Sequence, residues 1–105
     1  MGKYYKLVAF VPLPQTEKVR QAICGAGAGK IGAKYDNCTF ISEGIGAFRP
    51  LKGAKPYRGK VGKLERVKEA RIETIVAVKD AKKVVAALKK AHPYEEPAFD
   101  LYPLI

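Results

Sequence analysis

The pattern of apolar residues predicts an α+β fold, in which a four-stranded antiparallel sheet carries two helices on one face. Stretches typical of strands occur four times along the chain. Two stretches with apolar residues at helical spacing lie between the first and second strands and between the third and fourth. This order, strand-helix-strand-strand-helix-strand, is that of ferredoxin-like sandwiches. A length of 105 residues fits one such domain, which we expect to span residues 1–105.

The first strand is predicted over residues 4–11, because its odd-numbered residues form one apolar face. Tyr4, Val8 and Phe10 form a second apolar face on the opposite side. Two helices cover only one face of a sheet, so an apolar second face predicts association between copies of the chain.

Thr16 is the predicted N-cap of the first helix, and the glycines that begin at Gly25 end this helix. The second strand is predicted over residues 37–46. Five Pro and Gly residues, with basic residues between them, follow in residues 49–63. This composition predicts a long arm between the second and third strands, and loops of this length are usually functional or mobile.

The third strand is predicted over residues 64–79, where β-branched residues are dense. Asp80 is the predicted cap of the second helix, and Pro93 stops that helix. The last strand is predicted over residues 97–103.

Basic and acidic residues are unevenly distributed along the chain. The net charge of +10 comes from 20 Lys and Arg against 10 Asp and Glu. Residues 49–71 hold nine basic and two acidic residues, whereas residues 92–105 hold three acidic residues and no Lys or Arg. A basic stretch attracts phosphate, nucleic acid, anionic surfaces or an acidic patch on a neighbouring subunit.

Several protein classes are excluded by composition. An apolar fraction of 48% is too high for a disordered chain. No stretch reaches the ~20 apolar residues of a membrane span, and the N-terminus lacks a signal-peptide pattern, so we expect a cytoplasmic protein without a membrane partner. Cys24 and Cys38 do not make a disulfide framework, and we expect buried, inert thiols.

Two motifs carry candidate chemistry. Residues 27–32 match GxGxxG, but a helix precedes them and a strand follows, the reverse of a dinucleotide-binding turn. His92 to Glu96 bring an imidazole, a phenol and two carboxylates within five residues. These groups could bind a divalent metal or a ligand or supply a general base. The alternative is a rigid connector whose path Pro93 and Pro97 fix.

A nucleic-acid interface would depend on charge alone. The arm contains one aromatic residue, Tyr57, whereas single-strand binders interleave several aromatic residues with their charges. We therefore expect no nucleic-acid partner, and binding of nucleic acid through the arm is the alternative.

Motifs spaced from residue 25 to residue 104 resemble the domain inserted in YqfO proteins, the Nif-three-like family with a dimetal centre. The segment from His92 to Pro97 also resembles, more locally, CutA, a trimeric relative of the PII signalling proteins. The main matching stretches are Gly25-Ala26-Gly27-Ala28-Gly29, Cys38-Thr39-Phe40, Glu43-Gly44, Phe48-Arg49-Pro50, Pro56-Tyr57 and His92-Pro93-Tyr94-Glu95-Glu96-Pro97.

The resemblance implies a PII/CutA-like form of the ferredoxin fold and a homotrimer. It carries over no activity, because full-length relatives hold their two metal ions in flanking lobes, through motifs that are absent from this sequence. On this basis the chain would be a free-standing version of an accessory module. We expect it to bind no cofactor, and a bound divalent metal ion is the alternative.

We therefore predict a non-enzymatic, trimeric ligand-binding or regulatory protein that binds a small anionic ligand or a protein partner near subunit boundaries. The alternatives are a divalent-metal-binding protein of CutA type, an enzyme with His92 as base, and a nucleic-acid binder. A metal would use His92, Glu96 and Cys38. The residues predicted to bind ligand are His92, Tyr94, Glu95, Glu96, Glu43, Arg49, Tyr57 and Arg58.

Overall fold

A computed structural model describes residues 3–105 and has the predicted α+β architecture. The four strands form one sheet in the order β2-β3-β1-β4, and every neighbouring pair is antiparallel. The strands are β1 (Tyr4–Pro12), β2 (Thr39–Phe48), β3 (Glu65–Ala77) and β4 (Phe99–Leu104). Helix α1 (Thr16–Gly25) connects β1 to β2, and helix α2 (Ala81–Ala91) connects β3 to β4. The predicted ferredoxin-like fold class is confirmed.

The core lies between the two helices and one face of the sheet. On β1 the predicted core face is confirmed, because Leu7, Ala9 and Val11 are fully buried in this core. Val8 is also buried, although it lies on the face without helices. The helices contribute the apolar residues that recur at helical spacing. The buried helix residues are Val19, Ile23, Cys24, Val84 and Leu88.

The opposite face of the sheet carries no helix. Its side chains include Tyr4, Phe40 and Tyr102, whose exposed fractions are 44%, 66% and 49%. The antiparallel register places Lys6 and Glu73 on the same face. This open face is therefore mixed rather than uniformly apolar, and its exposed aromatic residues are available to a partner.

The strand boundaries differ from the predicted ones by one or two residues, and the starts of α1 and β2 differ for local reasons. Thr16 is the first residue of α1 rather than its cap, and its hydroxyl donates to the Leu13 carbonyl at 2.8 Å inside a preceding 3₁₀ turn. Asp80 does precede α2, but its side chain makes no capping hydrogen bond. Strand β2 begins two residues later than predicted, after Asn37, which has a φ of +56°.

Strands β2 and β3 extend past the end of β1. β3 pairs with β1 only from Glu69 onward, so residues 45–48 and 65–68 form a two-stranded ribbon. The arm joins the two strands of this ribbon, and its two ends meet where the Gly62 amide donates to the Pro50 carbonyl at 2.8 Å. The ribbon carries the arm away from the helices and towards the chain that follows α2.

Within residues 3–105, none of the helices has the length and apolar character that a membrane crossing requires.

Candidate functional site

A cavity of about 570 Å³ opens between the arm, the ribbon and the connector, by which we mean residues 92–98 between α2 and β4. It collects six of the eight residues that the sequence indicated for ligand binding. These six are Arg49, Tyr57, Arg58, Tyr94, Glu95 and Glu96. Glu43 lines a smaller cleft beside the cavity, and His92 lies behind Tyr94, outside the lining of the cavity.

The position of the connector is set by His92. Helix α2 ends at Ala91, and the His92 amide makes the last helical bond, to the Leu88 carbonyl at 2.9 Å. The His92 side chain then bridges two parts of the backbone. Its Nε2 lies 2.7 Å from the Phe10 carbonyl oxygen, and its Nδ1 accepts a hydrogen bond from the Tyr94 amide at 3.1 Å. This pattern requires the proton on Nε2.

The electrostatics of His92 agree with this pattern. Burial lowers the pKa of the imidazole, and the hydrogen bond to the Phe10 carbonyl opposes this effect. His92 is therefore a neutral imidazole with both nitrogens engaged by backbone. A metal ion or a proton on Nδ1 would displace the Tyr94 amide, which is the behaviour of a connector residue.

Tyr94 contacts several of the side chains around the cavity. Its hydroxyl donates to Glu69 Oε2 at 2.8 Å. Its ring lies 4.9 Å from the ring of His92, 5.7 Å from that of Phe48 and 6.1 Å from that of Tyr57, centroid to centroid. Burial, followed by the hydrogen bond to Glu69, raises the pKa of Tyr94 above its usual range. Tyr94 is therefore a neutral hydrogen-bond donor at all physiological pH values.

Glu69 is a residue of the cavity lining that the sequence analysis did not single out. It lies on β3 at the floor of the cavity and is only 8% exposed. Its carboxylate occupies space that a side chain at Gly46 would need, because a Cβ there would lie 2.1 Å from Oε1. Glycine within a strand often marks such a close approach, so Gly46 was the available signal.

The arm is docked on the connector. The Lys55 amide donates to Glu95 Oε1 at 3.1 Å, and the Tyr57 ring packs near that of Tyr94. Arg49 and Arg58 are exposed at the cavity. Among residues 3–105, neither of these arginines belongs to an ion pair.

The predicted metal ligands do not converge within one subunit. In the part of the chain that the structure describes, no group of three His, Cys, Asp or Glu side chains could hold a metal ion. Cys38 is only half-buried, so the prediction of two buried thiols is wrong for this residue, and it lies in a separate cleft with Phe40 and Thr74. Cys24 is buried, and its burial raises the pKa of its thiol. A metal site shared between subunits remains a prediction.

The cavity combines three kinds of group. Its walls are mainly apolar and aromatic, two guanidinium groups lie at its surface, and one buried carboxylate lies at its floor. Sites of this size, with apolar walls and a few polar groups, are typical of small-molecule binding.

Comparison with known proteins gives close relatives for the whole chain. The chain is 58% identical over 100 residues to a GTP cyclohydrolase 1 type 2 homolog from Halalkalibacterium halodurans. The aligned residues cover 95% of this chain and 27% of that protein. A Bacillus cereus protein related to NIF3 superposes with a TM-score of 0.84 at 50% identity, over 98% of this chain and 26% of that one. The chain thus spans about a quarter of the length of these relatives. No protein-family model matches the chain.

More distant structures share the fold alone. The PII-like protein CutA from Nostoc sp. PCC 7120 superposes with a TM-score of 0.68 at 14% identity, over 95% of this chain and 80% of that one. The resemblance to the domain inserted in Nif-three-like proteins is confirmed. The chain is a close homologue of one segment of the NIF3-related, GTP cyclohydrolase 1 type 2 homolog proteins, and its fold is that of the PII-like protein CutA.

Proposed function

We propose that this protein is a non-enzymatic ligand-binding and regulatory module whose ligand occupies the cavity between arm and connector. One observation carries the proposal: residues far apart in the sequence, from Arg49 to Glu96, line a single mainly apolar cavity of about 570 Å³. Ligand pockets usually have volumes of about 300–1,000 Å³. The ligand is therefore a small molecule.

The ligand class is a small organic anion. Arg49 and Arg58 lie at the cavity, and among residues 3–105 neither has a carboxylate partner. Guanidinium groups bind carboxylate and phosphate with two parallel hydrogen bonds. The aromatic rings of Phe48, Tyr57 and Tyr94 provide the surface for an apolar or flat body of the same molecule.

A regulatory role follows from how the arm is held. The arm contacts the connector through the Lys55–Glu95 hydrogen bond and through the Tyr57 ring. A ligand between arm and connector would touch both, so its binding would change the position or order of the arm. His92 would be unsuited to act as a general base, because both of its ring nitrogens already make backbone hydrogen bonds.

We also propose that the protein is a homotrimer with its open sheet faces turned inward. The exposed aromatic residues Tyr4, Phe40 and Tyr102 on that face support this arrangement, as does the likeness to CutA noted above. Light scattering at micromolar concentration should give about three times the monomer mass of 11.5 kDa. A monomeric mass would contradict the trimer.

The ligand proposal is tested by thermal shift. Wild-type protein is screened against a panel of organic acids, amino acids and nucleotides, and the same panel is applied to Arg49→Gln with Arg58→Gln. A ligand at 100 times its Kd stabilises the native state by about 2.7 kcal/mol, which raises the melting temperature by several degrees. We expect at least one such compound for the wild type and a much smaller shift for the double variant. A panel without any stabilising compound would contradict the proposed function.

A further inference from the structure

We infer that the molecule bound in this cavity is a zwitterion, and that Glu69 binds its ammonium group while Arg49 and Arg58 bind its acidic group. The inference rests on the proposed function and adds a second recognition group to it. It starts from Glu69, the one carboxylate of the cavity lining that is buried.

Glu69 has unused hydrogen-bonding capacity. An ionised carboxylate can accept about four hydrogen bonds. Among residues 3–105, the one side-chain bond that reaches Glu69 comes from the Tyr94 hydroxyl, at 2.8 Å to Oε2. Buried carboxylates are stable when a cation or several donors compensate for lost water, and a single neutral phenol is a weak substitute.

Protein cations do not supply this compensation. Within the described residues no Lys, Arg or His forms an ion pair with Glu69. Arg71, two residues further along β3, is paired instead with Glu73 at 3.4 Å, and its guanidinium lies over the Phe10 ring at 5.7 Å from the centroid. The partner of Glu69 is therefore expected from outside the chain.

The surroundings of Glu69 suit an ammonium group. Phe10, Phe48, Tyr57 and Tyr94 line the same cavity, and aromatic faces attract cations. A purely anionic ligand would also meet repulsion from Glu69. A zwitterionic molecule would pair its ammonium group with Glu69 at the floor and its acidic group with Arg49 and Arg58. Its apolar body would lie against the aromatic rings.

The test uses three small probes that differ by one group each: L-phenylalanine, 3-phenylpropionate, which lacks the ammonium group, and phenethylamine, which lacks the acid. Affinities are measured by isothermal titration calorimetry on wild type, Glu69→Gln and Glu65→Gln. Glu65 lies on the same strand and the same face of the sheet, outside the cavity, and among residues 3–105 it forms no ion pair, so Glu65→Gln is the matched control.

We expect L-phenylalanine to bind wild type at least 10-fold more tightly than 3-phenylpropionate, because hydrogen bonds to charged groups change affinity by roughly 10- to 100-fold. Glu69→Gln should remove this preference, and Glu65→Gln should keep it. The comparison of probes on wild type needs no variant, so it decides the question even if Glu69→Gln does not fold.

Two results overturn the inference in distinguishable ways. If 3-phenylpropionate binds as tightly as L-phenylalanine and both bind the Arg49→Gln, Arg58→Gln double variant more weakly, the cavity binds anions as proposed, and the ammonium assignment to Glu69 is wrong. If none of the three probes binds at millimolar concentration, the zwitterion assignment is also wrong. In that case, the separate panel of organic acids and nucleotides decides whether the cavity binds any ligand.

Discussion

Gly46→Ala tests whether the pair formed by Glu69 and Tyr94 supports the cavity. A Cβ at Gly46 would lie 2.1 Å from Glu69 Oε1 and 2.6 Å from its carboxyl carbon, distances that no packed structure tolerates. The carboxylate must therefore move, and we expect this movement to break its hydrogen bond with the Tyr94 hydroxyl. Gly44→Ala is the matched control, because Gly44 lies two residues earlier on the same face of β2 and has open space around it.

The size of the effect follows from two opposing contributions. Loss of a hydrogen bond to a charged group costs about 1.5–3 kcal/mol. Replacing glycine by alanine inside a strand recovers about 0.5–1 kcal/mol. We expect Gly46→Ala to lower the free energy of unfolding by about 1–2 kcal/mol and the melting temperature by roughly 5–15 °C. Gly44→Ala should be neutral or slightly stabilising.

The assay is thermal unfolding followed by circular dichroism, at one protein concentration for all variants because association would shift the transition. Chemical denaturation gives the free energies independently. If Gly46→Ala is as stable as Gly44→Ala, the carboxylate moves at no cost, and the Glu69–Tyr94 pair does not support the cavity.

Three further predictions concern the connector and the loop after α1. Because burial lowers the pKa of His92 below its ordinary value of 6.5, the unfolded chain binds the extra proton first. Stability should therefore be full above about pH 6.5 and fall on acidification by at most about 1.4 kcal/mol per pH unit, and His92→Gln should lose this part of the slope. Glu95→Ala should speed hydrogen exchange of the Lys55 amide, measured by NMR, whereas Glu96→Ala should not. Gly29→Ala should destabilise the fold by about 1–3 kcal/mol in denaturant titrations, because Gly29 has a φ of +85° and a Cβ would lie 2.8 Å from a backbone nitrogen; unchanged stability would contradict this packing.

The fold was accessible from the sequence because local patterns determine most of it. The alternation along β1 and the helical spacing in α1 and α2 are local signals, and the structure confirms them. The cap at Thr16 was wrong because Pro12 and Pro14 begin a tight turn to which the Thr16 hydroxyl bonds. The late start of β2 follows from the left-handed backbone of Asn37 and from the hydrogen bond that the Cys38 amide donates to the Gly29 carbonyl, nine residues earlier, at 2.9 Å.

The candidate site was accessible in part. The density of functional groups from His92 to Glu96 and the basic arm indicated the two sides of the cavity, and the structure brings them together. The separate roles within the segment needed three dimensions. His92 is held by Phe10, 82 residues away, and Tyr94 by Glu69, 25 residues away. Neither spacing has a sequence signature, so His92 was predicted to bind ligand and Glu69 was not singled out.

The most direct test of the account is to fill the cavity. Ala54 lines it and is half-buried, so Ala54→Phe should occupy the space of the ligand, whereas Ala86→Phe adds the same bulk on the exposed surface of α2. The measurement is the shift in melting temperature with the most stabilising compound of the organic-acid, amino-acid and nucleotide panel. The account predicts a shift of several degrees for wild type and Ala86→Phe and little or none for Ala54→Phe. An equal shift in all three proteins would show that the compound binds elsewhere and would contradict the cavity as the ligand site.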